Sequence, residues 1–458
     1  MFKLRKFLLL TLIAVLPLVG FGCKGLSAEQ AAAVKPVKLN YWTVYNDLDQ
    51  LDAFKKEYEV MRPYVKISIR KVRGEELEQL LLRALADDVP PDIISISTRD
   101  LRRYLSWLSP MPASVKVANI QVTGEYAKET VVTIEENKMP SASTIKSKFV
   151  SAVYDDAVIG DKIYGLPLAF DTMALFYNKE LLDKSGVAEP PKTWDEFMAA
   201  VKAGTRFNDK GDIIQSGAAL GTGNNIERAF DILSLFMLQS GAKMAQGSHV
   251  SFADGLTVGK PNHPAMVALR FYTDFARPTK EVYSWNETMG NAMDDFAAGK
   301  SVFYFGFAYD YPRIKARAPQ MDLEIMPILQ LNEAAPTNVA NYWLETVVKK
   351  SKNQDEAWDF IRFMTTPDNI KKYTDATKRP TPLRSQIKDQ EADEMLKPFV
   401  STILQAESWY KGKNKEAAEK VFTEMLHNGL QPAGTAKSET QKDVQSLTNA
   451  AKLIQQTM

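Results

Sequence analysis

From Val37 onward the chain alternates two kinds of hydrophobic spacing. Val37 to Val44 has the short apolar pattern of a strand, and Asp47 to Met61 carries Leu48, Leu51, Phe54, Tyr58 and Met61 at helical spacing. Val65, Ile67 and Ile69 alternate as a second strand. Glu75 to Ala86 reads as a helix stopped before Pro90-Pro91, and Ile93, Ile94 and Ile96 make a third strand. Such a β-α-β-α-β series predicts a mostly parallel sheet covered by helices. Ligands of these sheets sit beyond the carboxyl ends of the strands. Tyr45 and Asn46 follow the first strand, and Ser97 and Arg99 follow the third. Tyr45 reads equally well as a ligand contact or a surface turn residue. Arg99 and Asp100 read as a helix start more than as a contact.

A different pattern occupies Asp161 to Phe197. Ile163 to Phe170 and Met173 to Tyr177 are two apolar runs separated by Asp171 and Thr172. Two strand-like runs with a polar break describe one extended segment that leaves one folded unit and enters another. Asn178 to Lys184 is a short helix, stopped at Gly186 and by Pro190-Pro191. Thr193 then caps a helix, with Glu196 placed to complete a capping box, Phe197 and Val201 on its apolar face, and Gly204 at its end.

Beyond it, Asn208 to Asp212 is a turn; its acids and amides form only an incomplete calcium-loop pattern. Ile213 to Leu220 reads as a strand. Gly221-Thr222-Gly223-Asn224-Asn225 opens a helix from Ile226 to Gln239 and lacks the lysine of a phosphate loop. Asn224 there suits a neutral polar ligand, because an amide both donates and accepts, or serves as a plain cap. His263 to Arg277 is helical. Trp285, Phe303, Tyr304, Phe305, Phe307, Tyr309 and Tyr311 crowd the next stretch. In a strand Phe303, Phe305 and Phe307 cannot share a face with Tyr304, which leaves Trp285 and Tyr309 the freest to line a cleft. Tyr342-Trp343 precedes a strand through Val348, and Ala357 to Phe363 is a helix. Trp409 reads as part of a later helix, and Val444, Leu447, Ala451 and Ile454 mark a last one. Residues 111–160 are the least informative: Val131 to Glu136 fits strand or helix, and Ser141 to Ser147 reads as a loop.

Several of these stretches resemble, in order and spacing, the extracellular solute-binding proteins of ABC importers, in particular the large sugar-binding, maltose-binding-protein-like group. Tyr164-Gly165-Leu166-Pro167, Tyr177-Asn178-Lys179 and Pro191 to Phe197 match, as do Pro91 to Ile94, Phe296, Gly299, Lys300 and Gly306, and the Pro380-Pro382-Arg384 loop. Ser301 to Phe303 stand where relatives carry Ala-Met. The resemblance implies an α/β fold of two lobes, each a mixed, mostly parallel sheet flanked by helices, with the ligand cleft between them. Lobe one would hold 37–170 and 341–375, lobe two 171–340 and 376–458. It places the first crossing at Asp171 and the return crossing before Trp343, where an aromatic faces the ligand. The candidate site is then Tyr45, Asn46, Ser97, Asp171, Asn224, Trp285, Tyr309 and Trp343, and the resemblance implies a mono- or oligosaccharide that is handed to the importer's transmembrane subunits by hinge closure. A monomer with no cofactor, metal or catalytic residue is expected.

Composition narrows the alternatives. A length of 458 residues suggests two or three domains. Lys plus Arg number 57 and Asp plus Glu 56, so a net charge of +1 gives no field to draw nucleic acid. With 3 His and 1 Cys, His/Cys metal clusters and thiol redox pairs are nearly excluded. A glycan-cleaving enzyme needs paired carboxylates, for which Asp155-Asp156 and Asp294-Asp295 are available, but no G-x-S-x-G motif occurs. A polyamine or peptide receptor is the alternative inside the binding class. At the N-terminus, Lys3, Arg5 and Lys6 precede an apolar run from Phe7 to Gly22, and Cys23 follows. Residues 1–23 resemble a bacterial lipoprotein signal, with Gly20 where leucine is usual, and 24–36 read as a tether. This implies a chain outside the cytoplasm, held to the membrane's outer face through lipidated Cys23, or an ordinary secretory peptide cut nearby.

Overall fold

The computed structural model describes residues 27–123, 129–434 and 436–458. Cys23 and the targeting segment lie outside the described residues. The chain folds around two hydrophobic cores, each built on a five-stranded sheet. In the first sheet the order is Val65–Lys71, Val37–Thr43, Ile93–Ser97, Trp343–Val348 and Leu108–Ser109. The first three run parallel, as the N-terminal pattern predicts. Trp343–Val348 pairs antiparallel with Ile93–Ser97, which sets Trp343 opposite Ser97. The second sheet runs Arg206–Phe207, Ile213–Ala218, Ser301–Gly306, Ala174–Asn178 and Leu323–Pro327. It has one parallel pairing, between Ile213–Ala218 and Ser301–Gly306. Ala174–Asn178 enters from the first core against that direction and pairs antiparallel on both sides, so this sheet is mixed and not mostly parallel.

The cores exchange chain at three places. Leu168 and Phe170 belong to the first core, Met173 and Ala174 to the second. Val339 packs in the second and Ala340 and Tyr342 in the first on the way back. Expectation and packing part company near the C-terminus. Leu383, Ile387, Val400, Ile403 and Ala406 pack in the first core, and only from Trp409 does the chain stay in the second. The helix Pro367–Thr377 ends in left-handed Lys378, and the following loop returns to bridge Phe149 through Leu383 instead of leaving. A third crossing therefore lies near residues 399–409, not at 376. The crossings run side by side: Thr172 bridges Ala340, and Asn338-Val339 pair parallel with Ala406-Glu407.

Local chemistry accounts for several element ends. Asn178 and Thr193 cap their helices through Leu181 and Glu196 amides. Glu196 itself turns back to the Lys192 amide at 2.6 Å, one residue before the cap, so the capping box is displaced. Val131 to Glu136 lie in a hairpin, Ser114–Thr123 against Glu129–Lys138. The expected loop at Ser141 to Ser147 is the helix Ala142–Lys148, because the Ser141 hydroxyl accepts from the Thr144 amide as an N-cap. Trp409 lies in extended chain ahead of the helix Lys415–Leu430, not in a helix, and its indole donates to the Ser234 hydroxyl at 2.9 Å.

The strand Ile213–Ala218 lies so close to the helix Trp194–Gly204 that a Cβ on Gly217 would fall 2.2 Å from the Val201 carbonyl oxygen. The Val201 atoms it would meet are all backbone and cannot give way cheaply. Gly217→Ala is expected to lower stability by about 1–3 kcal/mol, the range for overpacked cores, read as a reduced urea midpoint with unchanged slope; an unaltered midpoint would show that the helix can slide outward.

Candidate functional site

The two sheets present their loops to each other across the gap between the lobes. Tyr45 follows the end of Val37–Thr43, and Trp343 opens the strand paired with Ile93–Ser97, so the first sheet brings both to one edge. Their rings lie 4.2 Å apart at 38°. Tyr309 reaches them from the other lobe, 5.8 Å from Tyr45 and 6.2 Å from Trp343. Such spacings are those of favourable aromatic pairs. The Arg228 guanidinium stands over Tyr309 at 5.2 Å and Phe307 at 5.6 Å. Tyr45 is 40% exposed and Trp343 half-buried, which leaves faces available. A cavity of about 370 Å³ beside the cluster is lined by Tyr45, Ser95, Ser97, Asp100, Trp343 and Lys415 among others. A second, about 480 Å³, lies on the side of Tyr309 and Arg379.

Charged pairs close the gap next to the first of these. Arg99 bonds Asp231 of the opposite lobe and lies 3.7 Å from Glu419. Asp100 meets Lys415 at 2.7 Å and Arg103 meets Glu416 at 2.9 Å. Burial opposes the Arg99 charge, but Asp231 and Glu419 outweigh it and hold the guanidinium above its ordinary range. Arg99 was read from sequence as a helix start. It does sit in a single 3-10 turn, yet its side chain joins the lobes. Nothing in local spacing could have revealed Asp231 as its partner, since 132 residues separate them.

The expected site residues separate into three groups. Tyr45, Tyr309 and Trp343 meet in one cluster, and Ser97 lines the adjoining cavity while its hydroxyl accepts from the Arg99 amide at 3.4 Å. Asn46 and Asp171 sit beneath them, both 4% exposed. The Asn46 amide donates to Glu345 at 2.7 Å and Tyr41 at 2.9 Å. Glu345 is a fully buried carboxylate that also accepts from Tyr41 and from Ser95 at 3.1 Å, and burial pushes it up to about 6. It was missed because a lone acid in Leu344-Glu345-Thr346 gives no sign of inward orientation. Asp171 accepts the amides of Ala308 at 2.9 Å and Tyr309 at 3.2 Å, so its carboxylate fixes the backbone that carries Tyr309. Trp285 and Asn224 fall away from the cluster. Trp285 is fully buried in the second core with its indole donating to Asn225 at 3.1 Å. The expected cleft tryptophan is thus a core residue, because Asn225 satisfies its one polar atom inside. Asn224 is exposed and lines neither of these cavities. Among the described residues no group of acids, His or Cys could hold a metal ion, and no helix is long and apolar enough to cross a membrane.

Two lobes joined by three adjacent crossings, with an aromatic cluster drawn from both at their junction, define a two-lobe solute receptor. The comparisons carry this further. The family model for bacterial extracellular solute-binding proteins matches residues 49–397, and the chain belongs to that family. It is 22% identical over 398 residues to the multiple sugar-binding protein of Streptococcus mutans, covering 84% of each chain. It is 21% identical over 385 residues to the diacetylchitobiose binding protein of Streptomyces coelicolor, covering 81% of this chain and 80% of that one. The solved cyclic α-maltosyl-1,6-maltose binding protein from Arthrobacter globiformis superposes with a TM-score of 0.69 at 17% identity, over 91% of this chain and 99% of that one.

Burial raises Asp171 to about 7; the two amides and Arg379 act in the opposite sense without overcoming it. A carboxyl raised on folding binds its proton more tightly in the native state. Its contribution to stability is therefore complete below the unfolded value near 4 and is lost as pH rises through about 7. Glu345 acts in the same direction up to about 6. Folding free energy should fall by up to about 1.4 kcal/mol per pH unit per group across this window. In urea titrations at several pH values, Asp171→Asn should flatten that decline; parallel curves for the two proteins would refute the assignment.

Proposed function

We propose that the chain captures a carbohydrate outside the cytoplasm and delivers it to an ABC importer. The observation that carries this reading is the Tyr45–Trp343–Tyr309 cluster at the junction of the lobes. Sugars offer flat C–H faces that stack on aromatic rings and hydroxyls that need paired partners. Ser97 borders the same space and would supply such a partner, with the Asp100–Lys415 pair beside it. Closing the lobes about the crossings would bury the sugar and form the surface that the importer's transmembrane subunits read. The curated relatives include proteins named for sugars, which supports the same class.

The alternatives fit less well. A polyamine needs free convergent carboxylates, whereas Asp100 and Asp231 are each paired with a cation. For an enzyme, Asp156 contacts Lys411 and accepts from Tyr342, Asp294 pairs with Arg317, and Asp295 with Lys300, so neither adjacent acid pair is free for acid–base work. We read the chain as a non-catalytic monomer anchored through lipidated Cys23.

Calorimetric titration with a panel of mono- and oligosaccharides, amino acids and polyamines tests the solute class. With the sugar that binds, Trp343→Ala should weaken affinity by about thirtyfold or more, the scale of a buried aromatic contact at ~2 kcal/mol, with the melting temperature nearly retained. Binding only of amines, or recovery of cleaved sugar, would overturn the reading. Separately, Cys23→Ser should move the protein from the membrane fraction to the soluble one; a variant that stays with the membrane excludes this anchor.

A further inference from the structure

Residues 98–104 belong to the first lobe, where Leu101 and Tyr104 are buried in its core. Arg99, Asp100 and Arg103 reach from this segment to the second lobe. Their partners stand on two helices there, Ala229–Gln239 and Lys415–Leu430, which Phe230, Ala418 and Phe422 fix in the second core. Arg99 touches both helices, at Asp231 and at Glu419, and its guanidinium lies 5.4 Å over the Phe230 ring. Asp100 takes Lys415 from the second of them.

These pairs differ from ordinary surface pairs in three respects. The first is burial: Arg99 is 11% exposed and Asp231 5%, so water screens their attraction poorly. The second is the source of the partners. Among the described ion pairs, Arg99 and Asp100 meet no opposite charge of their own lobe, and neither does Asp231. Arg103 is different, since Glu78 of the first lobe also holds it. If the lobes part, Arg99, Asp100 and Asp231 therefore lose their counter-ions instead of exchanging them. The third is the order of signs. Arg99 and Asp100 are adjacent and opposite, and they face Glu419 and Lys415, opposite charges one helical turn apart. Sliding by one turn would set Asp100 against Glu419 and Arg99 against Lys415, like against like. Complementarity of this kind selects one docked register. Rehydration repays much of the loss of a single pair, but charges joined in a network act together.

We infer that Arg99 and Asp100, with Asp231, Glu419 and Lys415, form an ionic clasp that favours the docked lobe arrangement through the chain's own charges, before a solute binds. The apparent affinity of the cleft then rises with the fraction of chains so docked. The inference stands on side-chain contacts between the lobes and does not depend on which solute the cleft takes.

Small-angle X-ray scattering of the full chain, without added solute, reads the lobe arrangement as a radius of gyration. Lys415→Glu sets two acids against each other while keeping a residue suited to the first turn of its helix, and it should raise the radius. Adding Asp100→Lys should bring the radius back. Asp231→Asn, which leaves Arg99 with only Glu419, should raise it independently. Asp294→Asn breaks a pair with Arg317 inside the second lobe and should leave it unchanged. Urea midpoints establish that each variant is folded. An unchanged radius in both Lys415→Glu and Asp231→Asn overturns the clasp even where stability falls, because the pairs are then permanent packing beside the crossings. A radius raised in Lys415→Glu that Asp100→Lys fails to restore overturns it as well.

Discussion

Asp171 is the constraint on which the site depends. It stands at the first crossing, its own carbonyl accepts the amide of Asn341 at the second, and its carboxylate takes the amides of Ala308 and Tyr309 from the second lobe. One residue, through its carbonyl and its side chain, thus ties two crossings to the loop that bears Tyr309. A carboxylate does this better than an amide, since both its oxygens accept. The cost is a buried charge, offset only in part by the two amides and by the nearby Arg379, which itself donates to the Tyr45 carbonyl at 3.0 Å. Crossings and aromatic cluster are in this way one hydrogen-bonded unit.

Around that unit, sheet topology does the placing. Parallel strands end together, so the loops that follow Val37–Thr43 and Ile93–Ser97 emerge at the same edge, and the antiparallel return strand begins there. Glu345 supports this edge from below. It gathers Tyr41, Asn46 and Ser95, drawn from both of those strands and the loop after the first, around a single carboxylate. Buried polar networks of this kind are costly when incomplete and rigid when satisfied. Every donor here has its acceptor, which keeps Tyr45 and Trp343 at stacking distance while Tyr45 remains partly open to solvent.

What the sequence disclosed follows the range of the forces involved. Period and caps identified the parallel strands and most helices, and the polar break at Asp171 falls between Phe170 of the first core and Met173 of the second. Tyr45 could be proposed because strand ends point to loops, Tyr309 because strand alternation leaves it free, and Trp343 because the family resemblance implies an aromatic at the return crossing. Trp285 misled because an indole looks the same in sequence whether Asn225 or a ligand takes its hydrogen bond. Arg99 and Glu345 were invisible as participants, since their partners lie 132 and 304 residues away. The last crossing was misplaced for the same reason: only tertiary packing shows that Leu383 and Ile387 turn back to the first core.

The return strand Trp343–Val348 also governs the order in which the chain can fold. It fills the place between Ile93–Ser97 and Leu108–Ser109 in a sheet otherwise made from the first quarter of the polypeptide. Until it arrives, Ile93–Ser97 is an open edge and the core beneath is incomplete, so an emerging N-terminal half cannot settle into a stable domain. Contacts of such long sequence separation close slowly. A chain that must be threaded through a narrow export channel before folding gains from that delay, because its earliest residues stay passable until its last third has been made.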